Sequence, residues 1–77
     1  MISLMDYRTC KYVSIDEKQI TNVTDGYETI GSRTYPYSDV FLFNENTGRE
    51  KVIRVVESPN KIGRLMANAI EEQTKNK

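Results

Sequence analysis

The fold of this 77-residue chain is decided by Val40-Phe41-Leu42-Phe43, the polar segment 44–48, and Val52-Ile53-Arg54-Val55-Val56. Both apolar runs have the length of a β-strand, and neither alternates regularly with polar residues. This pattern is typical of strands that are covered on both faces of a sheet. We therefore predict a β-hairpin in which Phe41 and Phe43 share one face, Val40 and Leu42 share the other, and both faces need cover.

A turn and a helix flank the second strand of this hairpin. Glu45-Asn46-Thr47-Gly48 is typical of a type I turn that is closed by a glycine in the left-handed region. A helix is predicted to begin at Ser58-Pro59, because serine caps free N–H groups and proline lacks a donor where none is needed. Gly63 weakens this helix and is interpreted as permitting close approach of a neighbouring element. The apolar stripe of the helix consists of Ile62, Leu65, Met66, Ala69 and Ile70.

The first half of the chain has weaker patterns. A strand is predicted within 5–15, with a phase break near Thr9-Cys10, and a second strand at 19–24. Asp25-Gly26 favours a tight hairpin turn, which makes 27–30 the returning strand. The segment 31–36 is predicted to be a loop, because glycine and proline punctuate it.

These elements predict a single α+β domain over residues 1–77. The sheet is expected to be small and antiparallel, a meander of three to five strands, because every connection is too short for a crossover helix. The C-terminal helix packs on one face, so the other face must be covered by the N-terminal segment, by a second copy or by a partner. The predicted core comprises Val13, Ile15, Val40, Phe41, Leu42, Phe43, Val52, Ile53, Val55, Val56, Ile62, Leu65, Met66, Ala69 and Ile70.

The composition argues against catalytic and metal chemistry. The chain has no histidine and a single cysteine, so it lacks the usual general acid–base, an intramolecular disulfide and a common zinc ligand set. We expect no enzyme activity, no catalytic residue, no metal and no cofactor. Cys10 is interpreted as an inert, half-buried residue on a strand, and Asp16-Glu17 as a solvated turn. The single cysteine and the absence of a leader or membrane-spanning pattern favour a cytoplasmic protein.

The aromatic residues point to an interaction surface. Tyr27, Tyr35 and Tyr37 flank one predicted loop, and Arg33 lies among them. Tyrosine and arginine are enriched at interface hot spots, where they bury large area while the polar tip stays wet. Two alternatives exist: tyrosines also fit half-buried strands, and aromatic rings can stack on single-stranded bases. The mixed charges nearby disfavour base stacking.

The expected function is therefore that of a non-catalytic protein-binding module, a small regulator, inhibitor or adaptor. Such a protein suits a bacterial or phage accessory role, with another protein or a second copy in a homodimer as its partner. Eleven basic and eleven acidic residues cancel, so neither nucleic acid nor a membrane is favoured. The alternative is a nucleic-acid-associated regulator that uses the basic side of the helix, namely Lys61, Arg64, Lys75 and Lys77.

Overall fold

The computed structural model describes residues 1–75, with side chains for residues 1–70. The elements in chain order are β1 Ile2–Met5, β2 Tyr12–Ile15, a 3-10 turn Glu17–Gln19, β3 Ile20–Ile30, β4 Arg33–Asn44, β5 Arg49–Val55 and α1 Pro59–Lys75. In this part of the chain, β1 and β2 form one antiparallel sheet, and β3, β4 and β5 form a second sheet in chain order. The predicted α+β class, with a small antiparallel sheet and one C-terminal helix, is confirmed.

The β4–β5 hairpin forms where the apolar runs predicted it. Val40 lies opposite Ile53, and Phe41 opposite Val52, in an antiparallel register that extends to Asn44 and Arg49. Gly48 has a φ of 68°, and its N–H donates to the Asn44 carbonyl over 2.7 Å. A residue with a Cβ is strained in this left-handed conformation, which is why glycine closes the turn.

The β3–β4 hairpin differs from the prediction at its turn. The chain continues straight through Asp25-Gly26 as part of β3 and reverses at Gly31-Ser32, where Gly31 has a φ of 63°. A glycine of positive φ at the first position of a two-residue connection is the pattern of a type II′ turn. The predicted turn at Asp25-Gly26 was therefore wrong. Of the predicted loop 31–36, only Gly31-Ser32 is a turn, because 33–36 belong to β4.

β4 can contain Pro36 because this residue lies outside the part of β4 that pairs with β5. It is opposite Tyr27 of β3, whereas the pairing of β4 with β5 begins only at Ser38. On the β5 side this part of β4 has no ladder partner among the described residues, so the missing N–H of Pro36 removes no ladder hydrogen bond there.

The N-terminal segment forms two strands, of which the sequence indicated only the second. β1 pairs with β2 in the register Ile2 to Ile15, and the connection is tight enough to give Cys10 a φ of 57°. Cys10 is exposed in this connection, so its placement on a half-buried strand was wrong. The Asp6 carboxylate stabilises the connection by accepting hydrogen bonds from the N–H groups of Arg8 and Thr9.

The segment after β1 docks on the free edge of β5. The Val56 N–H donates to the Met5 carbonyl, and the Tyr7 N–H donates to the Arg54 carbonyl. The buried Glu57 carboxylate accepts from the Met5 N–H with both oxygens, each at 3.0 Å. These contacts join the two sheets along one edge.

The core lies between the three-stranded sheet on one side and β1, β2 and α1 on the other. Its buried apolar side chains are Ile2, Leu4, Ile15, Val40, Val55 and Ile62. Ile2 and Leu4 were missing from the predicted core. Phe43, Val52, Val56 and Ile70 were predicted in it, but they are exposed.

The helix begins as predicted, with Ser58 Oγ accepting from the Lys61 N–H over 3.2 Å. The interpretation of Gly63 was wrong, because no described neighbour lies within 4 Å of the point where its Cβ would stand. The Asp16-Glu17 turn is also less solvated than predicted. Glu17 is buried, and its Oε2 lies 2.8 Å from the Met1 amino nitrogen, since the β1–β2 register brings Met1 beside this turn.

Candidate functional site

The side of the three-stranded sheet that faces away from α1 is named here the open face. Val40 and Leu42 of β4 point towards the core, so the alternate residues Phe41 and Phe43 point to the open face. The sequence predicted that the two pairs lie on opposite faces, but not which pair faces the helix. The open face has three parts: a turn end with Phe41, Phe43, Glu50 and Val52, a middle with Tyr37, Asp39 and Arg54, and an arm end with Glu28, Ile30, Arg33 and Tyr35.

The turn end exposes large apolar side chains. Phe43 is 36% exposed and Val52 is 53% exposed, while Phe41 between them is half-buried. A groove of about 200 Å³ runs beside Phe41 and Val52 and is bordered by Asn22 and Glu50. Exposed apolar surface at adjacent positions of two paired strands is typical of a surface that binds another molecule.

The middle of the open face is covered by the N-terminal segment. The Tyr7 ring meets the Tyr37 ring edge-on, with centroids 5.6 Å apart and an interplanar angle of 62°. The Arg54 guanidinium lies 3.8 Å from the centroid of the Tyr37 ring, and its Nε donates to Asp39 Oδ1 over 3.0 Å. Stacking on the ring and the ion pair together hold the Arg54 side chain flat against the sheet.

Two pKa shifts follow from this packing. The hydrogen bond and charge of Asp39 raise the pKa of Arg54 despite the opposing effect of desolvation. Desolvation raises the pKa of the Tyr7 phenol, and the hydrogen bond that Tyr7 donates to Glu28 Oε2 over 3.0 Å raises it further. At neutral pH Tyr7 is therefore a neutral donor and Arg54 is a cation.

Gly26 allows the Tyr37 ring to lie across β3. The two residues are cross-strand partners, and a Cβ on Gly26 would stand 2.9 Å from the Tyr37 ring carbon Cζ and hydroxyl oxygen. Asp25-Gly26 thus serves close approach within a strand, although the same dipeptide favours a turn by local preference.

The arm end belongs to the part of the β3–β4 hairpin that extends beyond the core. This part, residues 24–39, is named here the arm. Residues 24–39 contain seven cross-strand pairs of β3 and β4, and only the two pairs formed by Ser38 and Asp39 also have a partner on β5. The molecule measures 50 × 28 × 20 Å, and its radius of gyration is 13.7 Å. A compact chain of this length has a radius of gyration of about 11.5 Å, so the arm makes the molecule elongated.

The structure places all four predicted partner-binding residues on this arm. Arg33, Tyr35 and Tyr37 lie on the open face, with Arg33 and Tyr35 exposed and Tyr37 half-buried under Arg54. Tyr27 is 72% exposed but lies on the opposite face of the ribbon, because its cross-strand partner is Pro36. Three of the four residues are therefore brought together on one face.

Sequence reasoning did not assign Ile30, Phe43 or Val52 to this surface. Phe43 and Val52 were placed in the core, although the unbroken apolar runs were a correct signal that both faces of the hairpin are apolar. Ile30 is 58% exposed beside the turn, where an isolated apolar residue has no periodic pattern to mark it.

A shallow cleft of about 450 Å³ separates the β1–β2 connection from the edge of β5. Its lining includes Asp6, Arg8, Asp39, Lys51 and Arg54. Hydrogen bonds from the Thr9 and Arg8 backbone lower the pKa of Asp6, and the carboxylate of Asp39 is paired with Arg54. Both carboxylates therefore already accept hydrogen bonds within the fold.

Two basic residues of the alternative prediction, Lys61 and Arg64, lie on α1 and therefore away from the open face. Lys61 and Arg64 are exposed in the first two turns of α1. Lys75 is the last residue of α1 and its side chain lies outside the described part, while Lys77 lies outside the described residues altogether. The described side chains therefore include only Lys61 and Arg64 of this set.

Comparison of the chain with protein-family models, with curated proteins and with solved structures gives no match. Among the described residues, no group of three or more cysteine, aspartate or glutamate side chains is arranged to hold a metal ion. The described helix lacks the length and apolarity needed to cross a membrane.

Proposed function

We propose that this protein is a non-catalytic protein-binding module, a small cytoplasmic regulator, inhibitor or adaptor of the kind found among bacterial and phage accessory proteins. One observation carries the proposal: the open face presents Phe43, Val52, Tyr35 and Ile30 to solvent along one side of an elongated sheet. Aromatic and apolar side chains on a rigid strand scaffold bury large area at a low cost in conformational entropy.

The arrangement of polar groups supports a protein partner. Arg33 and Glu50 are exposed at the two ends of the open face, each beside the exposed apolar side chains of its own end, and the Asp39–Arg54 ion pair lies between the two ends. Exposed aromatic and apolar side chains with charged residues beside them are common in protein–protein interfaces. Asp6 and Asp39, the two carboxylates that line the cleft beside β5, already accept hydrogen bonds, which supports a binding role over a catalytic one.

Affinity capture from the native host tests this proposal. A tagged protein should capture a partner, either another protein or an untagged copy of the chain, which mass spectrometry identifies. Changing both Tyr35 and Phe43 to serine should abolish that capture, because it removes an exposed ring from each end of the open face. Thermal unfolding should change little, since neither ring is buried.

Tyr12→Ser is the matched control, because Tyr12 is 67% exposed on β2, which is not part of the three-stranded sheet. Capture that survives the Tyr35 and Phe43 changes, or that is lost equally with Tyr12→Ser, contradicts the proposal. Capture of nucleic acid with a steep loss of binding at higher salt would instead favour the alternative regulator.

A further inference from the structure

The free edge of β5 carries backbone groups that have no partner in the described part of the chain. The Tyr7 N–H donates to the Arg54 carbonyl across this edge, so the even-numbered residues of β5 direct their N–H and C=O groups away from β4. The backbone groups of Glu50 and Val52 therefore point the same way. The N-terminal segment pairs with β5 only at residues 54–56, so it leaves these groups open to an added strand.

The cleft beside β5 runs along this edge. Its lining includes the consecutive residues 51–54, whose side chains alternate between the two sides of the sheet. The cleft therefore follows the edge of the strand and does not lie over one face. Asp6 and Arg8 of the β1–β2 connection border it where the N-terminal segment stops pairing with β5. The free part of the edge, residues 49–53, is about 16 Å long at the rise of an extended chain.

The side chains of the free edge differ between the two sides of the sheet. Lys51 lies on the side of α1, because it is opposite the core-facing Leu42, and Arg49 shares that side. Both cations are exposed, and neither has an ion-pair partner among the described residues. On the open face, Val52 is 53% exposed next to Glu50. The edge is therefore cationic on one side and has an exposed valine on the other.

We infer that the free edge of β5 binds an extended acidic segment of another protein, which joins the three-stranded sheet as an additional antiparallel strand. Alternate residues of this segment are acidic and lie opposite Arg49 and Lys51, where opposite charges on neighbouring strands stabilise the pairing. The residues between them are apolar, and one lies opposite Val52. Main-chain hydrogen bonds supply the affinity and the alternating side chains supply the specificity. The antiparallel sense is that of the N-terminal segment, which pairs with β5 at Val55.

The opposite edge of the sheet does not suit such a segment. Residues 20–30 of β3 contain Asp25 and Glu28 but no lysine or arginine. An acidic segment beside β3 would meet like charges, which destabilise strand pairing. Basic side chains on the edge of β5 likewise discourage pairing with another basic strand. The charges therefore select both the edge and the kind of segment that it binds.

This edge is a different surface from the open face. The proposed function is tested through Tyr35 and Phe43, whereas the edge uses the β5 backbone together with Arg49 and Lys51. Only Val52 borders both surfaces. The inference adds a second contact surface to the proposed binding module, and either surface can fail without the other.

Fluorescence anisotropy with a labelled synthetic peptide tests the inference. The probe is a peptide of about seven residues in which valine and glutamate alternate, slightly longer than the free edge. It should bind the wild-type protein. The matched peptide with lysine in place of glutamate should bind about tenfold more weakly or worse, because it places like charges opposite Arg49 and Lys51.

Methylation of the peptide nitrogens distinguishes strand addition from simple charge attraction. In the antiparallel arrangement the valine opposite Val52 exchanges both backbone hydrogen bonds with it, while the glutamate N–H groups point away from β5. Methylating the valine nitrogens should therefore abolish binding. Methylating the glutamate nitrogens should leave the affinity within about threefold, because those N–H groups make no bond to β5.

Charge reversal on the protein gives a second measurement. The double variant Arg49→Glu, Lys51→Glu should bind the glutamate peptide about tenfold more weakly and should bind the lysine peptide better than the wild type does. Lys61→Glu with Arg64→Glu is the matched control, because it makes the same charge change at two exposed positions of α1. Its affinity should stay within about twofold of the wild type, since exposed charges far from the edge are screened by salt. Circular dichroism checks that each variant is folded.

Several results would overturn the inference. They are no binding of the glutamate peptide at about 1 mM, equal binding of the lysine peptide, and equal effects of the two methylated peptides. Preferential binding of a single-stranded oligonucleotide would assign the edge to nucleic acid. Self-association that the reversal of Arg49 and Lys51 abolishes would assign it to the acidic β3 of a second copy. The protein with serine at positions 35 and 43 should still bind the peptide, so failure of the proposed function is distinguishable from failure of this inference.

Discussion

Gly26 and Gly63 show that the neighbours of a glycine determine the effect of replacing it with alanine. Gly63 lies in α1 with no described neighbour within 4 Å of its missing Cβ, whereas Gly26 lies under the Tyr37 ring. Both residues have ordinary backbone angles, since only Gly31 and Gly48 are glycines of positive φ. Alanine at the two positions therefore tests packing and helix preference, and not backbone strain.

We expect Gly63→Ala to stabilise the protein by about 1 kcal/mol, because alanine loses less backbone entropy in a helix and meets no obstacle. The midpoint of thermal unfolding should rise by about 4–8 °C.

Gly26→Ala should have the opposite effect and destabilise the protein by about 1 kcal/mol, because the new Cβ collides with the Tyr37 ring. This is the lower end of the cost of overpacking, since the Tyr37 side chain can turn aside. A stabilised Gly26→Ala would contradict the close contact of Tyr37 with β3.

Tyr7 is predicted to titrate above the ordinary range of a tyrosine. Its pKa is raised by desolvation and by the hydrogen bond to Glu28, so a tyrosinate absorbance titration should show one high-pH step that Tyr7→Phe removes. Because the folded pKa is raised, the contribution of Tyr7 to stability is complete below the unfolded pKa and is lost as pH rises through the folded pKa. Glu28→Gln should move this step towards the ordinary range, and an unmoved step would show that desolvation acts alone.

At the scale of the elements, the β5–α1 connection holds the N-terminal hairpin in place. The buried Glu57 carboxylate accepts from the Met5 N–H, and the buried Ser38 hydroxyl donates to the Glu57 carbonyl over 2.6 Å. One short segment therefore links β1, β4 and the start of the helix.

We expect Glu57→Ala to destabilise the protein by about 1–3 kcal/mol, measured by urea unfolding, because the part-buried Met5 N–H loses its acceptor. Glu57→Gln keeps an acceptor oxygen of the same reach and should cost less. Equal losses for the two variants would indicate that the negative charge matters more than the hydrogen bond.

The elements also show where local signals mislead. The Asp25-Gly26 dipeptide favours a turn, but cross-strand pairing on both sides of it and the Tyr37 ring keep it extended. The observed turn at Gly31-Ser32 is also marked only by a glycine. The sequence pattern alone could therefore not show which of the two dipeptides, Asp25-Gly26 or Gly31-Ser32, reverses the chain. Only the register with β4 and β5, which begins at the confirmed hairpin, decides which glycine reverses the chain.

At the scale of the whole molecule, the arm should be less stable than the core. Val40 and Val55 are fully buried, whereas Tyr27, Ile30 and Tyr35 on the arm are exposed. Regions with few buried apolar contacts open at a lower free energy than the global unfolding. The exposed arm is therefore the part of the fold that gains most from a bound partner.

Hydrogen exchange tests this expectation. In dilute solution, the paired amides of the arm, such as those of Glu28 and Tyr35, should exchange faster than that of Val40. Arm protection equal to that of the core in dilute solution would contradict the picture of a projecting hairpin.

The sequence by itself determined the elements whose signals are local: the β4–β5 hairpin with its Gly48 turn, the start of α1 at Ser58-Pro59, and the α+β class. It also indicated that both sides of the hairpin are apolar. Only the tertiary structure decided which side stays open, because that depends on where α1 and the N-terminal hairpin pack. Ile2 and Leu4 reach the core through contacts with residues far along the chain, and no pattern within four residues can encode such contacts.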